Sequence, residues 1–167
     1  MKHTLLFLLM ICACTLQATA TGKQPRLTDD ELMTLVQKQT FRYFWDFAHP
    51  ESGLARERSN DRLEIATIGG SGFGVMAIIV GVERGFITRE QGAERLLKIV
   101  EFLNKADSYH GIWAHWMDGA TGKTIPFSRK DDGADLVESA FMFEGLLAAH
   151  QYFTHDNPTE NRIRGLI

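Results

Sequence analysis

The chain has 167 residues, of which 44% are hydrophobic and 23% are charged, and its formal net charge is −3. These values are typical of a globular protein of one domain at most. Nucleic-acid binding needs a basic patch, and the mildly acidic balance gives no support for one. We therefore expect a folded domain without a nucleic-acid partner.

Residues 1–20 form a pattern typical of a secretory signal. A short basic start precedes the apolar run 4–11, which is too short to span a membrane as a mature helix. Cleavage at an A-x-A site ending at Ala20 and lipidation of Cys14 are the two alternatives, and we favour lipidation. The sequence thus predicts an exported bacterial protein, periplasmic or held at the outer membrane only by a lipid anchor. Both cysteines lie in the signal, so the mature domain 21–167 has no disulfide.

The first two predicted helices differ in their surroundings. Thr28 and Glu31 form a capping-box pattern that begins an amphipathic helix over residues 29–48. The second helix ends at Gly85, a natural C-terminal cap, and its segment 65–82 contains no charged residue. A helix without a polar face is expected to be buried on all sides.

The rest of the chain continues this alternation. A helix over 89–104, begun by a second capping box, has one apolar and one charged face and is expected to be half exposed. Residues 109–127 predict a short hairpin or a long loop. A buried helix from the acidic residues near 131 to about 153, a turn over 156–161 and the start of another helix over 162–167 follow.

Acidic residues are concentrated just before and inside the fourth predicted helix. At about 100° per residue, Asp131, Asp135 and Glu138 fall on one line of a helix. Like charges at this spacing repel, and apolar residues cover most of the remaining circumference, so we expect these carboxylates to line an internal cleft. The alternative is an acid-rich first turn favoured by the helix dipole, which explains Asp131 and Asp132 better than the other two.

Aromatic residues precede the acidic stretch. Tyr109, Trp113 and Trp116 are candidate substrate contacts, because pyranose C–H faces stack on aromatic rings. His115, which stands between the two tryptophans in the sequence, is also a candidate substrate contact. The alternative interpretation is that these rings only close one end of a helical ring.

Two other motifs lack the context that their functions need. Residues 72–77 match a G-x-G-x-x-A dinucleotide turn, but a turn and a helix follow where a second strand is required. The glycines there favour close helix packing and a tight bend instead.

His110 and His115, with Asp118 nearby, have no compact ligand spacing and no cysteine partner, so chance explains them better than a metal. A Gly-x-Ser-x-Gly nucleophile elbow is absent. We expect no metal and no cofactor.

The alternation of half-exposed and buried helices predicts an all-α fold built from helical hairpins in two concentric rings. Four helices do not close such a ring. We therefore expect an incomplete barrel.

Several segments in chain order resemble the glycoamylase-like domain family. They are 41–46, 53–58, 65–74, 84–90, 111–116 and the pattern Asp131-x-x-x-Asp135-x-x-Glu138. Within that family the chain is most similar to endo-β-1,2-glucanases of glycoside hydrolase family 144 and their exo-acting relatives that release sophorose. The resemblance implies an (α/α)6 barrel, inverting hydrolysis without a metal, and a domain well over twice this length, of which this chain matches the N-terminal part.

The resemblance also implies roles for the acidic residues. Asp131, Asp135 and Glu138 match the acidic cluster of the family's substrate pocket, and Asp135 is the best candidate for a catalytic or water-positioning carboxylate. Inversion needs an acid and a base on opposite faces of the sugar, with carboxyls ~6.5–9.5 Å apart. Side chains on one helix face approach from one side, so we expect them to supply at most one member of that pair.

Three hypotheses follow. The first is an N-terminal part of an exported monomeric hydrolase of β-1,2-glucan or its oligosaccharides, inactive as this chain alone. The second is a surface lipoprotein that binds glycans and performs no chemistry. The third is a chain that does not fold stably by itself, because its buried helices would expose apolar surface.

Overall fold

The computed structural model describes residues 26–60 and 62–167, so the predicted signal with Cys14 lies outside the described residues. The chain divides into two units after Met33. No helix in the described ranges is long and apolar enough to cross a membrane. The elements in these ranges are α1 (Asp29–Trp45), β1 (Ile65–Thr67), α2 (Ile68–Glu83), α3 (Arg89–Leu103), β2 (Ser108–Tyr109), β3 (Ile112–Trp113), β4 (Trp116–Asp118), β5 (Thr124–Ile125), α4 (Leu136–Tyr152) and α5 (Pro158–Leu166).

Both predicted capping boxes are confirmed. At the start of α1, the Glu31 carboxylate accepts the Thr28 N–H at 2.8 Å, and the Thr28 hydroxyl accepts the Glu31 N–H at 3.3 Å. Thr88 and Gln91 make the same reciprocal pair at the start of α3. Each box satisfies N–H groups that a first helical turn leaves unpaired. Helix α1 ends at Trp45, three residues before the predicted end.

Helices α2 and α4 pack directly against each other along a line of glycines. A Cβ atom on Gly72 would overlap the Phe141 carbonyl, and one on Gly145 would overlap the Gly72 carbonyl. The prediction that the glycines of residues 72–77 permit close helix packing is confirmed at Gly72, but the tight bend expected there is wrong, because residues 72–77 lie within α2. Because Gly69 lies beside Glu138 and Gly72 beside Phe141 and Gly145, the two helices run in the same direction. Their N-termini therefore lie at the same end.

The expectation that α2 and α4 are buried on all sides is wrong within the described residues. One side of each helix packs into the core, through residues such as Val75, Ile78, Met142 and Leu146. The other side has exposed apolar residues, namely Phe73, Met76 and Val80 on α2 and Leu136, Val137, Phe141, Phe143 and Leu147 on α4. The described elements contact these helices from one side, which is why composition alone overestimates their burial.

Short strands connect the helices at the end where α2 and α4 begin. β4 pairs antiparallel with β1 and with β5, while β2 and β3 form a separate hairpin. The predicted hairpin or loop over 109–127 is thus confirmed, and β1 was not predicted. The Ile68 N–H at the start of α2 donates to the His115 carbonyl at 3.2 Å. The sheet therefore holds the first residue of α2.

Helix α5 begins earlier than the sequence indicated. The predicted turn over 156–161 is wrong beyond Asn157, because Pro158 occupies the first helical turn and the Asn157 side chain accepts the Glu160 N–H at 2.9 Å. Asparagine is a strong N-cap and proline is favoured at the first helical position.

A buried ion pair attaches α5 to α3. Both Glu160 carboxylate oxygens accept from the Arg89 guanidinium at 2.9 Å, and Arg89 also donates to the Tyr152 carbonyl at 2.7 Å. Burial alone would raise the pKa of Glu160. Hydrogen bonds from Arg89, the His155 N–H and the Asn157 amide outweigh burial and hold that pKa at about 2.

Candidate active site

Helix α4 begins five residues after Asp131, which changes the geometry of the acidic stretch. Asp135 is the N-cap of α4, and its Oδ1 accepts the N–H groups of Val137 at 2.9 Å and Glu138 at 3.0 Å. The predicted single helical line of Asp131, Asp135 and Glu138 is therefore wrong. Aspartate is one of the best N-caps, because its side chain satisfies N–H groups of the first turn.

The backbone of β3 determines where α4 begins. The Asp135 N–H donates to the Trp113 carbonyl at 2.8 Å, so Asp135 belongs to an extended segment and not to the helix. The Ser139 hydroxyl, one turn into α4, accepts the Trp113 N–H at 3.0 Å and donates to its carbonyl at 3.2 Å. These contacts place the start of α4 directly on β3.

Two of the three predicted acids lie together with a histidine. His115 Nδ1 and Asp135 Oδ2 are 3.2 Å apart. One ligand atom each from His115, Asp131 and Asp135 lies within 4.8 Å of the others. His115 was predicted as a substrate contact beside the aromatic residues, and its contact with Asp135 was not predicted, because nothing local in the sequence relates the two positions. We call these three residues the His–Asp cluster.

Glu138 is separate from the His–Asp cluster. Its Oε2 accepts the Gly69 N–H at 2.9 Å, and the Thr67 hydroxyl lies 3.5 Å from the same oxygen. Of the three predicted acids, the structure thus brings Asp131 and Asp135 together and directs Glu138 to the start of α2.

Phe127 is a neighbour of the cluster that sequence reasoning missed. Its ring stacks on the His115 ring with centroids 4.2 Å apart, and it lies 4.7 Å from the Trp116 ring. The Phe127 N–H donates to the Asp131 carbonyl at 2.9 Å, and 46% of the residue remains exposed. Its position shortly before the acidic stretch was the only signal in the sequence.

The predicted aromatic contacts do not form one surface. Trp116 is buried beside Phe127, and its Nε1 has no hydrogen-bond partner among the described residues. Trp113 packs on Phe143 and donates its ring N–H to the Leu103 carbonyl at 3.3 Å. Tyr109 is 68% exposed on the β2–β3 hairpin. Of these rings, only Trp116 is in contact with a ring of the cluster, the His115 imidazole.

An apolar cavity of about 350 Å³ lies apart from the cluster. Its lining includes Leu103, Trp113, Phe143, Leu146 and Leu166, and none of the three predicted acids borders it. Such a lining offers hydrophobic contact but no acid or base. The side chains that could act as an acid or a base therefore lie at the His–Asp cluster and not at this cavity.

The cluster has donor atoms that a cation could use, one from each of its three residues. His115 and Asp135 already contact each other, and the described residues add no further ligand to the group. Structural metal sites usually have four protein ligands. The expected absence of a metal stays a prediction.

The structural comparisons define the class of protein. No family model matches the sequence. A Bacteroides uniformis protein with the provisional name glucoamylase is 83% identical with a TM-score of 0.84, over 86% of this chain and 35% of that chain. An endo-β-1,2-glucanase from Chitinophaga pinensis, solved with sophorotriose and glucose, is 52% identical with a TM-score of 0.79, over 84% of this chain and 36% of that chain. The structural neighbours are glucoamylase-like (α/α)6 barrel proteins, covered in part.

One sequence relative has a more specific name. The exo-β-1,2-glucooligosaccharide sophorohydrolase (non-reducing end) of Parabacteroides distasonis is 54% identical over 142 residues, which are 84% of this chain and 20% of that protein. The chain thus spans between a fifth and little more than a third of the length of these relatives. The predicted resemblance to endo-β-1,2-glucanases and sophorose-releasing enzymes is confirmed, and so is the predicted fold class.

Proposed function

We propose that this chain forms part of a glycoside hydrolase that acts on β-1,2-glucan or its oligosaccharides. The observation that carries the proposal is the His–Asp cluster, which lies in a segment more than half identical to two β-1,2-glucan hydrolases. A carboxylate, an imidazole and an exposed aromatic ring at one place are suited to bind a sugar and to move a proton.

The two acids of the cluster have different surroundings. Asp135 uses Oδ1 to cap α4 and Oδ2 to contact His115. The Asp131 side chain makes no hydrogen bond to any described residue and is half-buried. We therefore propose that Asp131 contacts the substrate or a water molecule, and that Asp135 orients His115. This assignment replaces the expectation that Asp135 is the first candidate for catalysis.

We propose an inverting reaction in which the cluster acts on one face of the sugar. An inverting pair is ~6.5–9.5 Å apart and a retaining pair about 5–5.5 Å. The cluster atoms lie within 4.8 Å of one another, which is too close for an inverting pair. Asp135 engages both of its oxygens, Oδ1 with the N–H groups of α4 and Oδ2 with His115, so we assign it no direct part in the displacement. We propose that the opposite carboxylate belongs to another part of the whole protein.

A hybrid enzyme tests this proposal. In the hybrid, the chain replaces the matching segment of the Chitinophaga pinensis endo-β-1,2-glucanase, and the unmodified glucanase is the positive control. Release of reducing sugar from linear β-1,2-glucan by the hybrid, with its loss in the Asp131→Asn hybrid, is the expected result. Proton NMR of the first products reports the anomer. A folded hybrid without activity would contradict the hydrolase proposal, and retention of configuration would contradict inversion.

A non-catalytic glycan-binding role is the second candidate, because Phe127 offers an exposed ring face beside the cluster. Calorimetric binding of β-1,2-glucooligosaccharides to this chain, without reducing-sugar release by the hybrid, would favour it.

We further propose that the protein is exported as a monomer and lipidated at Cys14. Incorporation of labelled palmitate that is lost on Cys14→Ser tests the lipid, and light scattering tests the monomer.

A further inference from the structure

Helix α2 begins without a cap of its own. Thr67 is its N-cap residue but makes no side-chain capping hydrogen bond, and the first turn contains no acidic residue. A helix N-terminus has four unpaired N–H groups and a partial positive charge. α2 therefore needs an acceptor from elsewhere in the fold.

A carboxylate from α4 satisfies this need. Glu138 Oε2 accepts the Gly69 N–H at 2.9 Å, although the two residues are 69 positions apart. The neighbouring Ile68 N–H is taken by the His115 carbonyl. The first turn of α2 is thus held by Glu138 and by the backbone of a cluster residue. A carboxylate at this place is favoured both by the helix dipole and by a charge-assisted hydrogen bond.

The close approach depends on a glycine. A Cβ atom on Gly69 would overlap the Glu138 carboxylate. Thr67 and Gly69 are thus the α2 side of the contact, and Glu138 is its α4 side. The contact lies one turn from Asp135, whose Oδ1 accepts the Glu138 N–H at 3.0 Å.

We propose that Glu138 is a positioning residue that caps α2, fixes the start of α4 against it and thereby holds the Asp135–His115 pair in place. It does not touch the substrate. The effect on catalysis rests on the proposed hydrolase function, whereas the capping contact itself does not.

A double-mutant cycle tests the contact without any activity assay. Unfolding free energies are measured by urea for the hybrid and for its Gly69→Ala, Glu138→Ala and doubly substituted forms. The added methyl overlaps the carboxylate only when Glu138 is present, so we expect Gly69→Ala to destabilise less in the Glu138→Ala background. Strictly additive effects would overturn the capping contact. Glu144→Ala is the matched control on the same helix, because that exposed side chain makes no hydrogen bond within the described ranges.

A second measurement serves if Gly69→Ala does not fold. Hydrogen exchange of the Gly69 amide should become faster in Glu138→Ala and stay slow in Glu138→Gln, since the amide oxygen of glutamine still accepts the N–H. Unchanged exchange in Glu138→Ala would overturn the proposal.

Kinetics separates positioning from catalysis. Glu138→Gln should keep kcat within about threefold of the unsubstituted hybrid, whereas loss of a catalytic acid or base typically costs ~10²–10⁴-fold. Glu138→Ala should lower both kcat and stability. A Glu138→Gln hybrid that melts normally but loses activity as Asp131→Asn does would overturn the positioning role. An inactive unsubstituted hybrid would contradict the hydrolase proposal only, since the cycle would still decide the contact.

Discussion

The Asp135 carboxylate contacts the His115 ring, with Oδ2 and Nδ1 3.2 Å apart, while its other oxygen caps α4. One side chain thus joins the start of a helix to the histidine of the His–Asp cluster. Because both oxygens are engaged, changes at Asp135 and Asp131 should have different consequences.

Asp135→Asn should separate the helix-capping role of Asp135 from the effect of its negative charge on His115. Asparagine caps a helix about as well as aspartate, so we expect the unfolding free energy of the hybrid to change by less than about 0.5 kcal/mol. The neutral amide no longer holds His115 by charge, and kcat should fall at least ~10-fold. Asp135→Ala, which also removes the cap, should cost roughly 1 kcal/mol of stability in addition. Urea unfolding and steady-state kinetics give the two quantities, and equal stability of both variants would contradict the capping role.

Asp131→Asn should lower kcat with little effect on folding. Its side chain makes no hydrogen bond within the described part of the chain, so the melting temperature of the hybrid should be unchanged. If Asp131 contacts the water or the sugar in the reaction, kcat should fall by ~10²-fold or more. Asp132→Asn, at the next position, is the matched control. Near-normal turnover of Asp131→Asn would remove it from the chemistry.

Phe127→Ala should weaken substrate binding more than turnover. An aromatic contact contributes about 1 kcal/mol, so KM for β-1,2-glucooligosaccharides should rise roughly fivefold. Phe127→Tyr keeps the ring and should keep KM. The comparison of the two variants by steady-state kinetics decides whether the exposed ring contacts the substrate, and a KM unchanged in both would exclude it.

The Arg89–Glu160 pair should make stability fall in acid. The pKa of Glu160 is about 2 in the folded protein and has an ordinary value of 4.5. A depressed folded pKa means that the unfolded chain binds the proton more readily. The contribution is therefore complete above pH 4.5 and is lost as the pH falls from there towards 2. The shift corresponds to on the order of 3 kcal/mol.

Glu160→Gln provides the comparison. Urea unfolding of the 167-residue chain between pH 6 and pH 2 should show a steeper loss of stability than the same titration of Glu160→Gln. Parallel curves for the two proteins would show that Glu160 is not the responsible group.

Gly145→Ala should destabilise the contact between α2 and α4. The new methyl would overlap the Gly72 carbonyl, and overpacking of this kind costs about 1–3 kcal/mol. Gly165→Ala in α5 is the control, because no atom lies within 4 Å of the added Cβ. Alanine is the better helix former there and should stabilise the chain by up to about 1 kcal/mol. Equal effects of the two substitutions in urea unfolding would contradict the close approach.

Features that depend on neighbouring residues could be predicted from the sequence alone. The capping boxes at Thr28 and Thr88 and the end of α2 near Gly85 were predicted correctly, because a cap is made between residues a few positions apart. The order of segments along the chain also sufficed for the resemblance to β-1,2-glucanases, which the comparisons confirm. These features need no knowledge of the packing.

The assembly of the site depends on contacts between residues that are far apart in the sequence. Helix α4 begins at Leu136 because the Asp135 N–H is taken by the Trp113 carbonyl, and helical periodicity contains no information about that distant partner. The contact of His115 with Asp135 and the hydrogen bond from the Gly69 N–H to Glu138 likewise join residues that are distant in the sequence. Each joins groups 20 to 69 positions apart, so each exists only once the short strands and the helices α2 and α4 have packed together.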